Sequence, residues 1–129
     1  MTVFDTRSKI IDLARAREIV RDNGSRLTLV TGYFDVLLAD HLSRLEDLAS
    51  NGNQLMAVVF DPPEPLLSLR ARAELIAALA MVDYVLPAGQ NGAGELLSEF
   101  SADAIVREED ADLRRRQELT AHVRQRHSR

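Results

Sequence analysis

The chain contains no cysteine, which excludes a disulfide framework, a thiolate zinc site and a cysteine nucleophile. Aromatic residues are scarce at 5%, and none falls in residues 111 to 129, so that basic stretch lacks the stacking platforms that single-stranded nucleic acids use. Long apolar runs are also missing. The longest, Leu75 to Val82, falls far short of the roughly 20 residues that span a bilayer. Asp5 and Asp12 interrupt an N-terminal stretch with no apolar signal core, so the expectation is a cytoplasmic protein without a membrane or a secretory signal. Proline is confined to positions 62, 63, 65 and 87, so proline-driven breaks are expected in the loop after residue 61 and at Pro87.

At 129 residues, 46% apolar and 28% charged, the composition is that of an ordinary globular chain. The length fits one domain over residues 1–129. The net charge of −4 conceals an uneven split. Residues 111 to 129 carry six arginines against Asp112 and Glu118, a net +4, whereas the first 110 residues carry ten basic and eighteen acidic groups, a net −8. An acidic body argues against nucleic acid as a partner; the basic stretch suits a phosphate or the acidic face of another molecule.

Hydrophobic spacing divides the chain into alternating elements. Asp12 caps a helix with Leu13, Ala16, Ile19 and Val20 at helical spacing, closed by Asn23-Gly24. Arg26 to Thr31 is a short apolar run ending at Gly32, the pattern of a strand entering a loop. Asp40 starts a second helix with Leu42, Leu45, Leu48 and Ala49 on one face. Leu55 to Phe60 is apolar without alternation, as in a strand buried on both faces of a parallel sheet. After the proline-rich loop come a helix over 69–80, a strand over 82–86 stopped by Pro87, a short helix over 95–100 and a strand over 104–106. A last helix, Asp112 to about Arg126, has only Leu113, Leu119 and Val123 as substantial apolar anchors. This order predicts an α/β fold, a Rossmann-like doubly wound parallel sheet of four to five strands with helices on both faces. Ligands of such sheets sit beyond the carboxyl ends of the strands, which directs attention to residues 32–39, 61–68 and 107–110.

The segment Val30-Thr31-Gly32-Tyr33-Phe34-Asp35-Val36-Leu37-Leu38-Ala39-Asp40-His41 resembles the first signature of the cytidylyltransferase-like nucleotidyltransferases, T-x-G-x-F-D-x-x-H-x-G-H. The resemblance runs from about Lys9 to Asp110 and points most closely to the nucleotidyl-transferring domain of bacterial ADP-heptose synthase. It includes Phe60-Asp61 in place of a Ser-Asp, Arg72-Ala73-Glu74, Val82-Asp83-Tyr84-Val85, and Ala104 to Asp110 in place of I-L-V-K-G-G-D. It implies transfer of a nucleoside monophosphate from CTP or ATP, with Mg²⁺, to a phosphorylated small molecule, in a domain that commonly pairs as a homodimer. The residues implied at a nucleotide site are Gly32, Tyr33, Phe34, Asp35, His41, Asp61, Arg72, Arg107 and Asp110, with His41 the candidate catalytic residue and no metal-ligand set in the chain.

The chain departs from the pattern where the chemistry would sit. Leu38 replaces the first histidine and Asp40 the glycine of H-x-G-H. Loss of one oxyanion donor costs about 100- to 1000-fold in rate. A carboxylate about 5 Å from a phosphate repels it by roughly 3 kcal/mol at an effective dielectric near 20, and as helix N-cap Asp40 would occupy amides that a phosphate uses. The second signature, I-S-S-T or S-T-T, is missing, and the arginine-rich stretch at 111–129 stands in its place.

On the residues alone, plainer roles stand beside these. Gly32 suits a turn, Phe34 the core, Asp35 loop hydrogen bonds, and Arg72 a salt bridge tying helix to sheet. Asp61 is a lone carboxylate. His122 and His127 lack the i, i+4 spacing of a ligand pair. Three functions fit: a degenerate domain keeping a nucleotide or anionic-metabolite pocket, an active nucleotidyltransferase in which Arg107 or a later arginine replaces the lost donor, and a non-catalytic homodimeric interaction module in which the late arginine-rich helix, through Leu113, Leu119 and Val123, folds over the former site or pairs across subunits.

Overall fold

The computed structural model describes residues 5–23, 26–35, 37, 39–90, 94–100 and 105–127. Gly24, Leu38, residues 91–93 and Ala104 lie outside them, so the substitution at Leu38 has no structural description. After a 3-10 turn at Thr6–Lys9, the order is α1 (Leu13–Asn23), β1 (Leu27–Gly32), α2 (Ala39–Ala49), β2 (Gln54–Phe60), α3 (Leu69–Ala77), β3 (Tyr84–Gly89), α4 (Gly94–Ser98), β4 (Ile105–Arg107) and α5 (Glu109–His127). The four strands form one parallel sheet in the order β3-β2-β1-β4.

The unbroken apolar run of β2 explains why the sheet is covered on both faces. Leu55, Ala57 and Val59 pack with Leu45 of α2 and Ala73, Ile76 and Ala77 of α3. Met56 and Val58 pack with Ala16, Ile19 and Val20 of α1 and Leu96 of α4. Strand alternation thus feeds two cores from one segment. Asp12 caps α1, its Oδ1 accepting the Arg15 amide at 2.8 Å, and Ser68 caps α3 by accepting the Ala71 amide at 3.1 Å.

Several boundaries differ from the sequence expectation: β3 begins at Tyr84 rather than residue 82, α4 spans Gly94–Ser98 rather than 95–100, and four further differences have a physical reason. Helix α2 begins at Ala39, which puts Asp40 in its first turn rather than at its N-cap; there the carboxylate complements the helix dipole and caps no amide. Helix α3 ends at Ala77, where the backbone tightens into a Leu79-to-Ile76 hydrogen bond of 3.1 Å. Pro87 does not stop β3 but lies within it, opposite Val59. The reason is that β3 is an edge strand. The Val85 carbonyl faces outward to accept the Ile11 amide at 2.9 Å, and Pro87, two residues on, shares that outward orientation, so its missing N–H removes nothing from the ladder to β2. Finally, residues 107–110 are not a loop. Arg107 ends β4, and Glu108 starts α5 by accepting the Asp112 amide at 2.8 Å while its own amide donates to the Thr31 carbonyl at 2.8 Å.

Helix α5 is polar all round. Glu109, Asp110 and Asp112 crowd its first turn and arginines follow, an arrangement that complements the helix dipole. Among its described side chains only Asp112 is buried.

Candidate anion-binding site

Beyond the carboxyl end of β1, the chain exposes two successive amides, Tyr33 and Phe34, toward the start of α2. Phe34 turns the chain through a left-handed conformation, φ 49°. Its ring, 1% exposed, is driven into the core beside Val30, Leu45 and Leu55, and this pins the two amides. Helix α2 then presents His41, also buried, with its ring centroid 6.3 Å from that of Phe34.

A carboxylate from the far end of the chain fills the cradle so formed. Asp112 Oδ2 accepts the Tyr33 amide at 2.9 Å and the Phe34 amide at 3.3 Å. Its Oδ1 lies 2.5 Å from His41 Nε2 and accepts from Arg115 at 3.1 Å. A carboxylate can only accept, so Nε2 carries the proton. Four donors on two oxygens satisfy a buried anion fully. The approach is so close that a Cβ on Gly32 would stand 2.7 Å from Asp112 Oδ2 and 2.9 Å from the Phe34 ring, which is the requirement that places glycine there. Helix α5 is fastened on either side of this contact. Glu108 accepts from Arg44 Nε of α2 at 2.8 Å, and Arg116 donates to the carbonyls of Pro63 and Glu64 at 2.9 and 2.6 Å and lies 3.7 Å from Asp35.

A second buried cluster adjoins the first. The Arg72 guanidinium, with no exposed surface, donates to the carbonyls of Leu67, Tyr33 and Phe60 at 3.1, 2.9 and 2.7 Å and to Asp61 at 2.5 Å. Asp35 accepts the Leu66 and Leu67 amides at 2.8 and 2.9 Å. Together they fold the proline-rich loop back onto the ends of β1 and β2.

Between the two clusters lies an open cavity of about 430 Å³ lined by Tyr33, Phe60, Asp61, Pro62, Pro63, Gly89, Gln90 and Glu109. Its rim is acidic. Burial first, and then the charges of Glu109, Asp110 and Asp112, hold the Tyr33 phenol above its ordinary pKa. No ready-made divalent-cation ligand set is present among the described residues. Asp35, Asp61, Glu108 and Asp112 are each committed to protein donors.

The structure therefore places the sequence-predicted residues unevenly. Gly32, the Tyr33 and Phe34 amides and His41 converge on one point. The Phe34 ring does not reach the cavity, because it fills the core. Asp35 and Arg72 are spent on the loop, so Arg72 has no open face for a phosphate. Asp61 lines the cavity while paired to Arg72. Arg107 and Asp110 are exposed, at the end of β4 and in the first turn of α5. Sequence reasoning pointed to the late arginines only as a group, of which Arg115 and Arg116 reach the site, and missed Asp112, Glu108 and Arg44. Nothing local marks them, since Asp112 is simply one of two acids in a basic stretch.

The fold is an α/β domain with a doubly wound parallel sheet, and a cradle between its first strand and the following helix holds the Asp112 carboxylate. Comparison with known proteins narrows its class. The chain is 31% identical over 109 residues to the "Bifunctional protein HldE" of Chromohalobacter salexigens, covering 78% of this chain and 22% of that protein. It is 29% identical over 105 residues to the same-named protein of Actinobacillus pleuropneumoniae and 29% over 96 residues to that of Coxiella burnetii. The chain spans about a fifth of the length of these curated relatives. No protein-family model matches it. The relatives support a cytidylyltransferase-like, nucleotidyltransferase-like domain. No helix among the described residues is long and apolar enough to cross a membrane.

Proposed function

We propose that this chain is a degenerate nucleotidyltransferase-like domain that keeps a pocket for a nucleotide or another anionic metabolite, with transfer chemistry weakened or lost. The observation that carries this reading is the Asp112 carboxylate in the cradle of the Tyr33 and Phe34 amides and His41. A transferred phosphoryl group needs donors aimed at its developing charge, and here those donors hold a carboxylate of the chain itself. The acidic rim and the commitment of Arg72 to carbonyls and Asp61 act in the same direction, leaving the open cavity to the organic part of a ligand. In this reading Mg²⁺ enters only as the companion of a nucleotide's phosphates. A cytoplasmic location and a homodimer joined through Leu119 and Val123, exposed and four apart on α5, complete it; light scattering tests the dimer.

Titration calorimetry of the full chain with CTP and with ATP, each with Mg²⁺, paired with a pyrophosphate-release assay in the presence of sugar phosphates, tests the function. Binding without release is the expected result. Steady pyrophosphate release would overturn it in favour of an active transferase, and absence of binding to both nucleotides would favour the interaction module.

A further inference from the structure

Helix α5 is held to the body in a way unlike any other helix. Helix α1 buries Ala16, Ile19 and Val20, and α3 buries Ala73, Ile76 and Ala77. Among the described side chains of α5, Asp112 alone is buried, and everything described beyond Arg116 is exposed. Its attachment is mainly polar: the Asp112 carboxylate in the cradle, the Glu108 amide on the Thr31 carbonyl, the Glu108 carboxylate on Arg44, and Arg116 on the carbonyls of Pro63 and Glu64 and beside Asp35, with Ala111 and Leu113 only half-buried. An element fixed by polar contacts, with little apolar burial, belongs to the low-stability end of a fold. Three of the four donors on Asp112 belong to the body and stay behind when α5 leaves; only Arg115 travels with it. Those three converge on a single position suited to one anionic group.

We propose that α5 is a displaceable latch: a phosphate-type anion and the Asp112 carboxylate compete for the same cradle, and anion binding undocks the helix. The inference rests on the anion-pocket reading above and adds its regulation. A site open only a fraction of the time binds with its affinity reduced by that fraction, so a latch closed about 99% of the time weakens apparent binding about 100-fold. Loosening the latch away from the cradle then tightens binding. The distinguishing feature is the sign. Arg44 and Arg116 are cations near an anion site, so removing them weakens binding by simple electrostatics, whereas a latch requires the reverse.

The test titrates inorganic pyrophosphate at low salt into the full wild-type chain, the double variant Arg44→Ala/Arg116→Ala, and Asp112→Ala, with amide hydrogen exchange followed on the wild type. The double variant is expected to bind about two- to fivefold more tightly for each contact removed, and Asp112→Ala more tightly still. Saturating pyrophosphate is expected to speed exchange over residues 109–127 and to slow it at Tyr33 and Phe34. Equal or weaker binding by the double variant overturns the latch, as does unchanged exchange in α5 with the anion bound. If Asp112→Ala fails to fold, the double variant decides alone. No heat from any folded variant also overturns the latch. Nucleotide transfer by the wild type would sink the weakened-transfer reading while these two readouts still decide the latch.

Discussion

Arg72 and Asp112 are buried charges at the same end of the sheet, held by different logic. Arg72 is a cation enclosed by its own neighbourhood, and its partners Tyr33, Phe60, Asp61 and Leu67 all lie within 39 residues of it. It is part of how β1, β2 and α3 close. Asp112 is an anion delivered from 71 residues away to His41 and from 79 to the Tyr33 amide. Its helix shares little apolar surface with the body. Removing one partner of a buried ion cluster strands the others, but the consequence differs when the charge arrives on a separable element. The first charge is structure; the second behaves as an internal ligand.

The sharpest way to break this contrast is Arg72→Met. It leaves three carbonyls and Asp61 without their donor and is expected to cost about 3 to 5 kcal/mol in urea unfolding; a loss as small as that of Asp112→Ala would erase the distinction. Asp112→Ala leaves two amides and His41 without their acceptor, groups that water reaches once α5 loosens, and the expected loss is about 1 to 3 kcal/mol. Gly32→Ala sharpens the comparison further. Its new Cβ meets both Asp112 and the Phe34 ring, so it should couple to Asp112→Ala in a double-mutant cycle by about 1 kcal/mol, while strict additivity would mean that the carboxylate is not in the cradle. Arg44→Ala, at a half-exposed pair, should cost less than about 1 kcal/mol, with faster exchange in α5 as its clearer mark.

The smallest effect lies far from both clusters. Hydrogen bonding to Arg7 lowers the Asp5 pKa from 3.8 to about 2. A carboxyl with a depressed folded pKa stabilises above its unfolded value and loses that contribution as pH falls from 3.8 toward 2. The pair is exposed, so acid should fray the N-terminal turn before the body. An NMR titration of the Asp5 carboxyl checks this; a midpoint near 3.8 would mean that the pair does not persist in solution.

Much of the fold was legible because its signals are local. Leu55 to Val59 could only be a strand covered on both sides, and Asp12 stood where a cap was needed. The errors came where a local rule depends on orientation. A proline ends a strand only if its N–H was owed to a neighbour, and Pro87 faces away from the sheet. Asp40 looked like a cap because it precedes an apolar stripe, yet the helix begins one residue earlier. The site was half legible: Gly32, the amides after it and His41 come from one short segment. Its occupant was not, because no periodicity, spacing or composition links Asp112 to His41 across 71 residues.

The outward-facing Pro87 has a consequence for how copies of this chain meet. The free margin of β3 offers an approaching strand a broken row: the Val85 carbonyl is already taken by Ile11, and two positions on there is no donor. A strand cannot be laid along such a margin in continuous register. The opposite margin, β4, is three residues long, too short to template a neighbour. Among the described residues, then, neither margin of the sheet offers a long continuous edge, which disfavours growth by sheet extension.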